Sequence, residues 1–218
     1  MKTAFITGIN RGIGKALAQK FLNEGDYVIG TSLGEKIDFS HKALTVIELD
    51  LSKDQSIVDC AKVVTELGRG IDIHINNAGV LLDDGNLNIN IEKLRHTLQI
   101  NLIGVIDLTQ RIIPLMSAGA HIVNISSTAG ILSKVYYPDY PVYKISKAAL
   151  NMFTTYLSTK LQGKIAVSSV HPGRVRTSMG NGEGDMDPEE AAEYIYTTAK
   201  TKNIETGQFW FKGEKIPW

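Results

Sequence analysis

Cysteine is almost absent from the sequence, which contains only Cys60 and therefore cannot form an internal disulfide. Such a composition is typical of a reducing compartment, and we expect a cytoplasmic protein. Long apolar runs are absent too, since none reaches the roughly 20 residues that span a bilayer. The opening "MKTAFITG" has too short an apolar segment for a signal peptide. We therefore expect no membrane partner.

An excess of either charge is also lacking, because 23 Lys and Arg residues balance 23 Asp and Glu residues. A neutral chain offers no electrostatic attraction for nucleic acid or for an anionic membrane surface, so we expect neither as a partner. The five histidines are scattered along the sequence, and we expect no metal site. Repeats, low-complexity tracts and linkers are lacking as well, which predicts one domain over residues 1–218.

The sequence does contain a regular alternation of short apolar runs and longer helical patterns. The runs that predict strands are "TAFIT", "DYVIGTS", "LTVIELDL", "IDIHIN", "AHIVNISS", "KIAVSSVHPG" and "GQFWF". The two longest helical patterns cover about 88–115 and 141–162, whereas 33–43 is too short and irregular for a helix. This predicts an α/β fold: a single doubly wound Rossmann domain, with a parallel sheet of about seven strands and helices on both faces.

A glycine-rich segment, "TGINRGIG", follows the first strand and opens the first helix. Gly8 permits a sharp turn, and Gly12 and Gly14 remove side chains where backbone must approach a diphosphate or where helix meets sheet. The spacing differs from G-x-G-x-x-G because Leu17 stands at its third glycine. The alternative is an ordinary glycine-rich turn, but the position between strand and helix favours a nucleotide site.

The end of the second strand bears on which dinucleotide would bind. NAD sites usually carry an acid there that bonds the ribose 2′-OH, but this strand ends in Thr31 and Ser32. Glu35 lies beyond the strand, in the connection that follows it. With no acid at the expected place, and with Arg11 in the loop able to meet a 2′-phosphate, we expect NADP(H) to be preferred and NAD(H) to be possible. Lys36 is a weaker candidate for the phosphate contact.

Residues 137–160, "YPDYPVYKISKAALNMFTTYLSTK", place a lysine four positions after each of three tyrosines. On a helix such pairs share a face, and a lysine cation beside a phenol favours the phenolate. Lowering a tyrosine pKa from near 10 toward 7 corresponds to about 4 kcal/mol. The pairs are Tyr140–Lys144, Tyr143–Lys147 and Tyr156–Lys160.

Pro141 separates these pairs by their position relative to the helix. A residue before proline is pushed out of the α region, so Tyr140 is expected just outside the helix that Pro141 begins. Tyr143 and Lys147 then lie in the first turns, near the edge of the sheet where ligands bind. Tyr156 lies about three and a half turns further on, so it cannot share that site. We expect Tyr156 to be a partly buried ring beside a solvated lysine.

Several segments, taken in order, resemble the motifs of the short-chain dehydrogenase/reductase family. They are "TGINRGIG", "LDL" at 49–51, "INNAGV" at 75–80, "NLIG" at 101–104, "NISSTAG" at 124–130, "YKISKAAL" at 143–150 and "HPGRVRTSM" at 171–179. The ending "TGQFWFKGEKIPW" resembles a small branch that contains sniffer-type carbonyl reductases and C-factor-like signalling proteins. The resemblance implies NAD(P)-dependent oxidation or reduction of alcohols and carbonyls.

The same resemblance implies roles for a catalytic set. Tyr143 would donate the proton, and Lys147, preceded by a serine as in the family, would bond the nicotinamide ribose. Ser127, in a Ser-x-x-Gly pattern, would polarise the substrate carbonyl, whereas Ser126 would face the core or bond backbone. Asn101 would tie a water chain to the lysine, the alternative being a helix-bending polar residue. The residues expected to contact the cofactor are Gly8, Asn10, Arg11, Gly12, Ile13, Gly14, Ser32, Asp50, Leu51, Asn77, Ala78, Gly79, Tyr143, Lys147, Pro172, Gly173, Val175 and Thr177.

Two departures from the family pattern affect the expected function. The connection after the second strand is short, and the substrate loop at about 178–187 is shorter than the lid of typical members. A short lid encloses substrate less, so we expect a shallow site that reduces aldehydes, ketones or quinones, or oxidises alcohols. The alternative is a dinucleotide-binding signalling or regulatory protein with little catalysis. By analogy with the family we expect a homodimer formed through the two long helices.

Overall fold

The computed structural model describes residues 1–83, 88–133 and 139–218. The strands, in chain order, are β1 (Thr3–Ile6), β2 (Tyr27–Ser32), β3 (Leu44–Glu48), β4 (Ile71–Asn76), β5 (Met116–Ile125), β6 (Ala166–Val170), β7 (Gln208–Phe211) and β8 (Glu214–Ile216). The α-helices are α1 (Gly12–Asn23), α2 (Asp54–Glu66), α3 (Ile91–Leu98), α4 (Gly104–Ile112), α5 (Pro141–Lys160) and α6 (Pro188–Lys200). Within these ranges no helix combines the length and hydrophobicity needed to span a bilayer.

The described strands form one eight-stranded sheet in the order β3-β2-β1-β4-β5-β6-β7-β8. The pairs from β3 to β7 are all parallel, which confirms the predicted α/β sheet. The eighth strand was not predicted; it pairs antiparallel with β7. The strand order reverses between β1 and β4, and the carboxyl ends of the strands on either side of such a reversal form the usual ligand crevice.

Helices cover both faces of the sheet, as predicted. On one face α1 and α6 pack together, with Leu17, Phe21 and Ile195 fully buried against strand residues. On the other face α2, α4 and α5 bury residues such as Leu108 and Phe153. Fully burying each such side chain contributes roughly 1.5–3 kcal/mol, so the two cores hold the strand ends of the crevice in fixed positions.

The long helical pattern near 88–115 is interrupted in its middle. Between α3 and α4 the residues Gln99–Ile103 form a π-helical segment, followed after α4 by a short 3₁₀ turn at Ile113–Leu115. Gly104 starts α4 where a Cβ atom would lie 2.4 Å from the carbonyl oxygen of Leu51, so the helix there lies against the turn that follows β3. Asn101 lies within this π segment and is buried, with the residue 1% exposed.

The start of α5 agrees with the proline argument, with one difference. Tyr140 lies outside the helix and Pro141 takes its first position, as expected. The backbone of Tyr140 is left-handed, with φ 61° and ψ 49°, rather than the extended conformation that usually precedes proline. At the start of α6 the carboxylate of the N-cap residue Asp187 accepts a hydrogen bond from Arg176 at 2.8 Å.

Candidate active site

Most of the predicted site residues line one cleft at the carboxyl ends of the central strands. The predicted residues in its wall are Gly8, Asn10, Arg11, Gly12, Ile13, Gly14, Ser32, Asp50, Leu51, Asn77, Ala78, Gly79, Tyr143, Lys147, Pro172 and Thr177. They come from segments spread between positions 8 and 177, so the fold brings together what the sequence separates. Asn101, Ser127, Gly173 and Val175 lie outside this wall as the described residues define it.

The glycine loop is fixed by close backbone approach. Gly8 has a φ of 72°, and a Cβ atom at Gly14 would lie 2.0 Å from the Gly8 carbonyl oxygen and 2.4 Å from Asn77 Nδ2. Asn77 Nδ2 donates to the carbonyl oxygens of Thr7 and Gly8 at 2.9 and 3.1 Å. These contacts set the end of β1 against the N-terminus of α1, where unpaired N–H groups and the helix dipole favour a phosphate.

The connection that follows β2 brings into the cleft a carboxylate that the sequence did not place there. Glu35 lines the cleft beside Thr31 and Ser32, and its carboxylate accepts a hydrogen bond from Asn10. Ser32 Oγ also donates to the Glu35 backbone carbonyl at 2.8 Å, which folds the connection back over the strand end. A carboxylate therefore lies in the cleft close to the strand end where the sequence alone indicated none. Arg11 lines the same cleft from the glycine loop.

Lys147 is the buried cation of the site. Its residue is 6% exposed, and its Nζ donates to the carbonyl oxygen of Ile125 at 2.8 Å. Burial in this position lowers the pKa of Lys147 to about 8. The same nitrogen lies 5.5 Å from the centre of the Tyr143 ring. Cation and phenol therefore meet in the wall of the cleft, as the helical spacing predicted.

The second tyrosine–lysine pair on α5 lies away from this wall. Tyr156 is 56% exposed, which is more than the partly buried ring that we expected. The Lys160 nitrogen lies 5.8 Å from its ring centre, almost the same separation as in the first pair. What separates the two pairs is therefore not their own geometry but the burial of Lys147 and its place in the cleft.

The two adjacent serines after β5 have different hydrogen-bond partners, and Ser126 rather than Ser127 belongs to the cleft wall formed by the described residues. Ser126 is 1% exposed and donates to Asn151 Oδ1 at 2.5 Å, so its partner is a side chain and not backbone. Ser127 begins a 3₁₀ turn, and its Oγ accepts a hydrogen bond from the Ala129 N–H at 3.1 Å. A hydroxyl that accepts one bond still has a proton to donate, so Ser127 keeps the chemistry that its predicted role requires.

Asn101 is a buried crosslink between three elements. Its Oδ1 accepts from the Val80 N–H at 2.8 Å, and its Nδ2 donates to the Val80 carbonyl at 2.9 Å and to Ser146 Oγ at 3.1 Å. A Cβ atom added to Gly79 would lie 3.1 Å from Asn101 Oδ1 and 3.9 Å from Lys147 Nζ. The amide and the ammonium thus flank the same point, although each is hydrogen-bonded to other groups.

The segment after β6 contributes to the cleft only in part. Pro172, Thr177 and the neighbouring Met179 line it. Gly173 faces away, because a Cβ atom there would lie 2.6 Å from Met186 Cε, and Val175 is 8% exposed and forms a β-bridge with Met186. The loop at 178–187 is tied back by Arg174, whose Nη2 donates to Glu183 at 3.0 Å.

The sequence did not predict the places of two acidic residues, one in the cleft wall and one at the start of α5. The place of Glu35 in the cleft cannot be deduced from sequence, because composition does not reveal the path of an irregular connection. The two carboxylate oxygens of Asp83 accept hydrogen bonds from the first turn of α5. The available signal was a helix start, Tyr140 and Pro141, that has no Ser, Thr, Asp or Asn at its N-cap.

Known proteins resemble this chain in sequence and in fold. The family model described as short chain dehydrogenase matches residues 2–188. The short-chain dehydrogenase anuI of Penicillium roqueforti (strain FM164) is 33% identical over 219 residues, which cover 89% of this chain and 86% of that protein.

Two solved carbonyl reductases share the whole fold. The NADPH-bound carbonyl reductase from chicken fatty liver superposes with a TM-score of 0.91 at 27% identity, covering 100% of this chain and 94% of that one. The carbonyl reductase Sniffer of Drosophila melanogaster gives a TM-score of 0.90 at 26% identity, with both chains covered completely.

Proposed function

Since the chain belongs to the short-chain dehydrogenase family and resembles its sniffer-type carbonyl reductases, we propose that it is an NADP(H)-dependent reductase of aldehydes, ketones or quinones. The observation that carries this proposal is the position of Lys147 Nζ, 5.5 Å from the centre of the Tyr143 ring in the wall of the glycine-loop cleft. A pure binding protein has no need of a buried ammonium beside a phenol.

The dinucleotide supplies the hydride, and the chain supplies the proton. In this proposal Tyr143 donates its phenolic proton to the oxygen of the substrate carbonyl as negative charge develops there. The ammonium of Lys147 stabilises the phenolate that remains, because a nearby opposite charge favours the ionised form. With the cofactor bound, Lys147 would also hydrogen-bond the ribose next to the nicotinamide. In the reverse reaction the phenolate accepts the proton of an alcohol.

Two neighbouring residues complete the proposed catalytic set. Ser127 donates its hydroxyl proton to the carbonyl oxygen and so holds it beside Tyr143. Asn101 orders a water next to Lys147. This role is supported by the position of Gly79, where an added Cβ atom would lie close to both Asn101 Oδ1 and Lys147 Nζ. Asn101 also fixes Val80 by hydrogen bonds in both directions, so it holds the segment that would face the nicotinamide.

For the cofactor, we propose binding along the cleft with the diphosphate at the N-terminus of α1. Gly12 and Gly14 leave room for backbone approach, and Asn77 holds the loop in place. We propose a preference for NADP(H), with Arg11 meeting the 2′-phosphate; the NADPH-bound chicken enzyme supports this. Glu35 opposes the preference through its negative charge, so NAD(H) should also be accepted.

We propose that residues 1–218 act as one dinucleotide-binding domain and that 178–187 form a short substrate loop. Support comes from Met179, which lines the cleft and is 44% exposed, so the substrate end is open and suits varied carbonyls. We also propose a homodimer through the two long helices, which expose Ile103, Met152 and Tyr156 by 50%, 65% and 56%. Sedimentation as a monomer at micromolar concentration would contradict the dimer.

The test is consumption of NADPH with a panel of aldehydes, ketones and quinones, alongside a fluorescence titration of NADPH. We expect saturable binding and turnover with several members of the panel. Tight binding without turnover on any of them would reject the reductase and favour a binding or regulatory protein.

A further inference from the structure

The helix that carries Tyr143 and Lys147 cannot cap its own N-terminus. Tyr140 occupies the N-cap position, and a phenolic oxygen at the end of a rigid ring is not the short acceptor that normally serves there. Pro141, at the first helical position, has no N–H. The N–H groups of Val142 and Tyr143 precede the first intrahelical bonds and need acceptors from elsewhere.

Asp83 supplies both acceptors from a distant part of the chain. Its Oδ1 accepts from the Val142 N–H and its Oδ2 accepts from the Tyr143 N–H, each at 2.9 Å. Each of its two oxygens thus accepts from one N–H of the first turn. A carboxylate at this place also interacts favourably with the positive end of the helix dipole, and charge-assisted bonds are the stronger kind.

The segment that carries Asp83 is itself attached to the glycine loop. The N–H groups of Asn77 and Ala78 both donate to Thr7 Oγ1 at 3.0 Å. Three residues before Asp83, Val80 is held by Asn101. The stretch 77–83 therefore connects the strand end that precedes the glycine loop to the first turn of the catalytic helix, and Ala78 and Gly79 line the cleft between these ends.

We propose that Asp83 is a positioning residue that fixes the first turn of α5, and with it the backbone of Tyr143, relative to the dinucleotide loop. It acts through Tyr143 and through the helix, without touching the reacting atoms. Its effect on turnover rests on the proposed reductase function, whereas its hold on the helix does not.

Asp139 provides a matched control for the charge. It lies two residues before the helix, its side chain is exposed, and its backbone carbonyl accepts a hydrogen bond from Lys144 Nζ at 2.5 Å. Asp139→Asn removes a negative charge near the same helix end but leaves both acceptors of Asp83 in place. Asp83→Ala removes the acceptors, and Asp83→Asn keeps one oxygen for one of the two amides.

The direct measurement is amide hydrogen exchange at Val142 and Tyr143 in the full chain. Asp83→Ala should speed exchange at both amides by at least about tenfold, because first-turn N–H groups without a partner are open to water. Asp83→Asn should speed exchange at one amide more than at the other, and Asp139→Asn should change neither. Unchanged exchange in Asp83→Ala would overturn the proposal, even if the protein proves to reduce no carbonyl.

The second measurement separates positioning from general stability. Asp83→Ala should lower turnover at saturating NADPH and substrate between about 10-fold and 100-fold, the effect expected of a reacting group misplaced by about an ångström. The Kd for NADPH should stay within about threefold of the parent value, and Asp83→Asn should restore part of the turnover. If Asp83→Ala does not yield folded protein, Asp83→Asn takes its place in both measurements. Turnover equal to that of the parent would overturn the proposal, whether or not the variant binds NADPH more weakly.

Discussion

The Lys147 nitrogen lies 5.5 Å from the centre of the Tyr143 ring, within the range of a cation–π contact. The pair Tyr156 and Lys160 on the same helix has nearly the same separation, 5.8 Å. The difference lies in the surroundings, because Lys147 is 6% exposed whereas Tyr156 is 56% exposed. A charge acts more strongly on a phenol when little water screens it, which supports Tyr143 and Lys147 over Tyr156 and Lys160 as the proposed catalytic pair.

Lys147→Met should remove a pH-dependent part of the stability. Burial lowers the pKa of Lys147 from 10.5 to about 8, so between these values the unfolded chain binds a proton that the folded chain does not. The free energy of unfolding of the parent should therefore rise with pH, by about 2 kcal/mol between pH 7 and 9.5, relative to the variant. Urea unfolding at pH 7 and 9.5 measures this change in the free energy of unfolding, with Lys160→Met as the control. Parallel pH profiles for parent and Lys147→Met would contradict the burial argument.

Glu35→Gln should increase the preference for NADPH over NADH. The change removes a negative charge from the wall of the cleft, where it would repel a 2′-phosphate. We expect the ratio of the two kcat/KM values to rise about tenfold, which corresponds to roughly 1.4 kcal/mol. Asp38→Asn is the matched control, because Asp38 pairs with Lys15 at 2.7 Å and lies outside the cleft wall formed by the described residues. An unchanged ratio would show that Glu35 does not face the phosphate.

Gly14→Ala should destabilise the protein although alanine favours helices over glycine. The added Cβ atom would lie 2.0 Å from the Gly8 carbonyl oxygen, which must then move. We expect a loss of about 2 kcal/mol or more in the free energy of unfolding, with weaker NADPH binding. Thermal and urea unfolding check this against Gln19→Ala in the same helix, which should be nearly neutral. Equal stability of Gly14→Ala and parent would mean that the loop is less tightly packed than described.

Buried histidines should make the fold sensitive to acid. Burial lowers the pKa of His121 from 6.5 to about 4, and does the same for His74. As the pH falls below 6.5 the unfolded chain takes up protons that the folded chain excludes, so stability is lost by about 2 kcal/mol per histidine between pH 7 and 5. In His121→Gln the loss of stability between pH 7 and 5 should be smaller by the contribution of one histidine, about 2 kcal/mol. Unfolding curves with the same pH dependence in both proteins would refute this explanation.

Local patterns were enough to predict the frame of the molecule. The buried strand β1 could be predicted from its continuous apolar run, and the start of α5 could be predicted from Pro141. Both predictions use only residues that are close together in the sequence. The glycine loop and the Tyr143–Lys147 pair were likewise readable from short spacings. The short strand β8 was not, since three residues at a sheet edge carry no periodicity of their own.

The remaining features depend on contacts between distant positions. Asp83 accepts hydrogen bonds from Val142 and Tyr143, which lie 59 and 60 residues later in the sequence. No local sequence pattern predicts a contact over such a separation. Glu35 enters the cleft because Ser32 and Asn10 fold an irregular connection back over the strand end. The π segment around Asn101 reflects hydrogen bonds to Val80, 21 residues earlier in the sequence.

The most direct test of the account is single-turnover hydride transfer from bound NADPH to a carbonyl in Tyr143→Phe, compared with Tyr156→Phe. Removing one phenolic oxygen from the cleft should slow transfer by about 10²–10⁴-fold, while the NADPH Kd stays close to that of the parent. Tyr156→Phe should react at the parent rate. Equal rates in the parent and Tyr143→Phe would contradict the account at its centre.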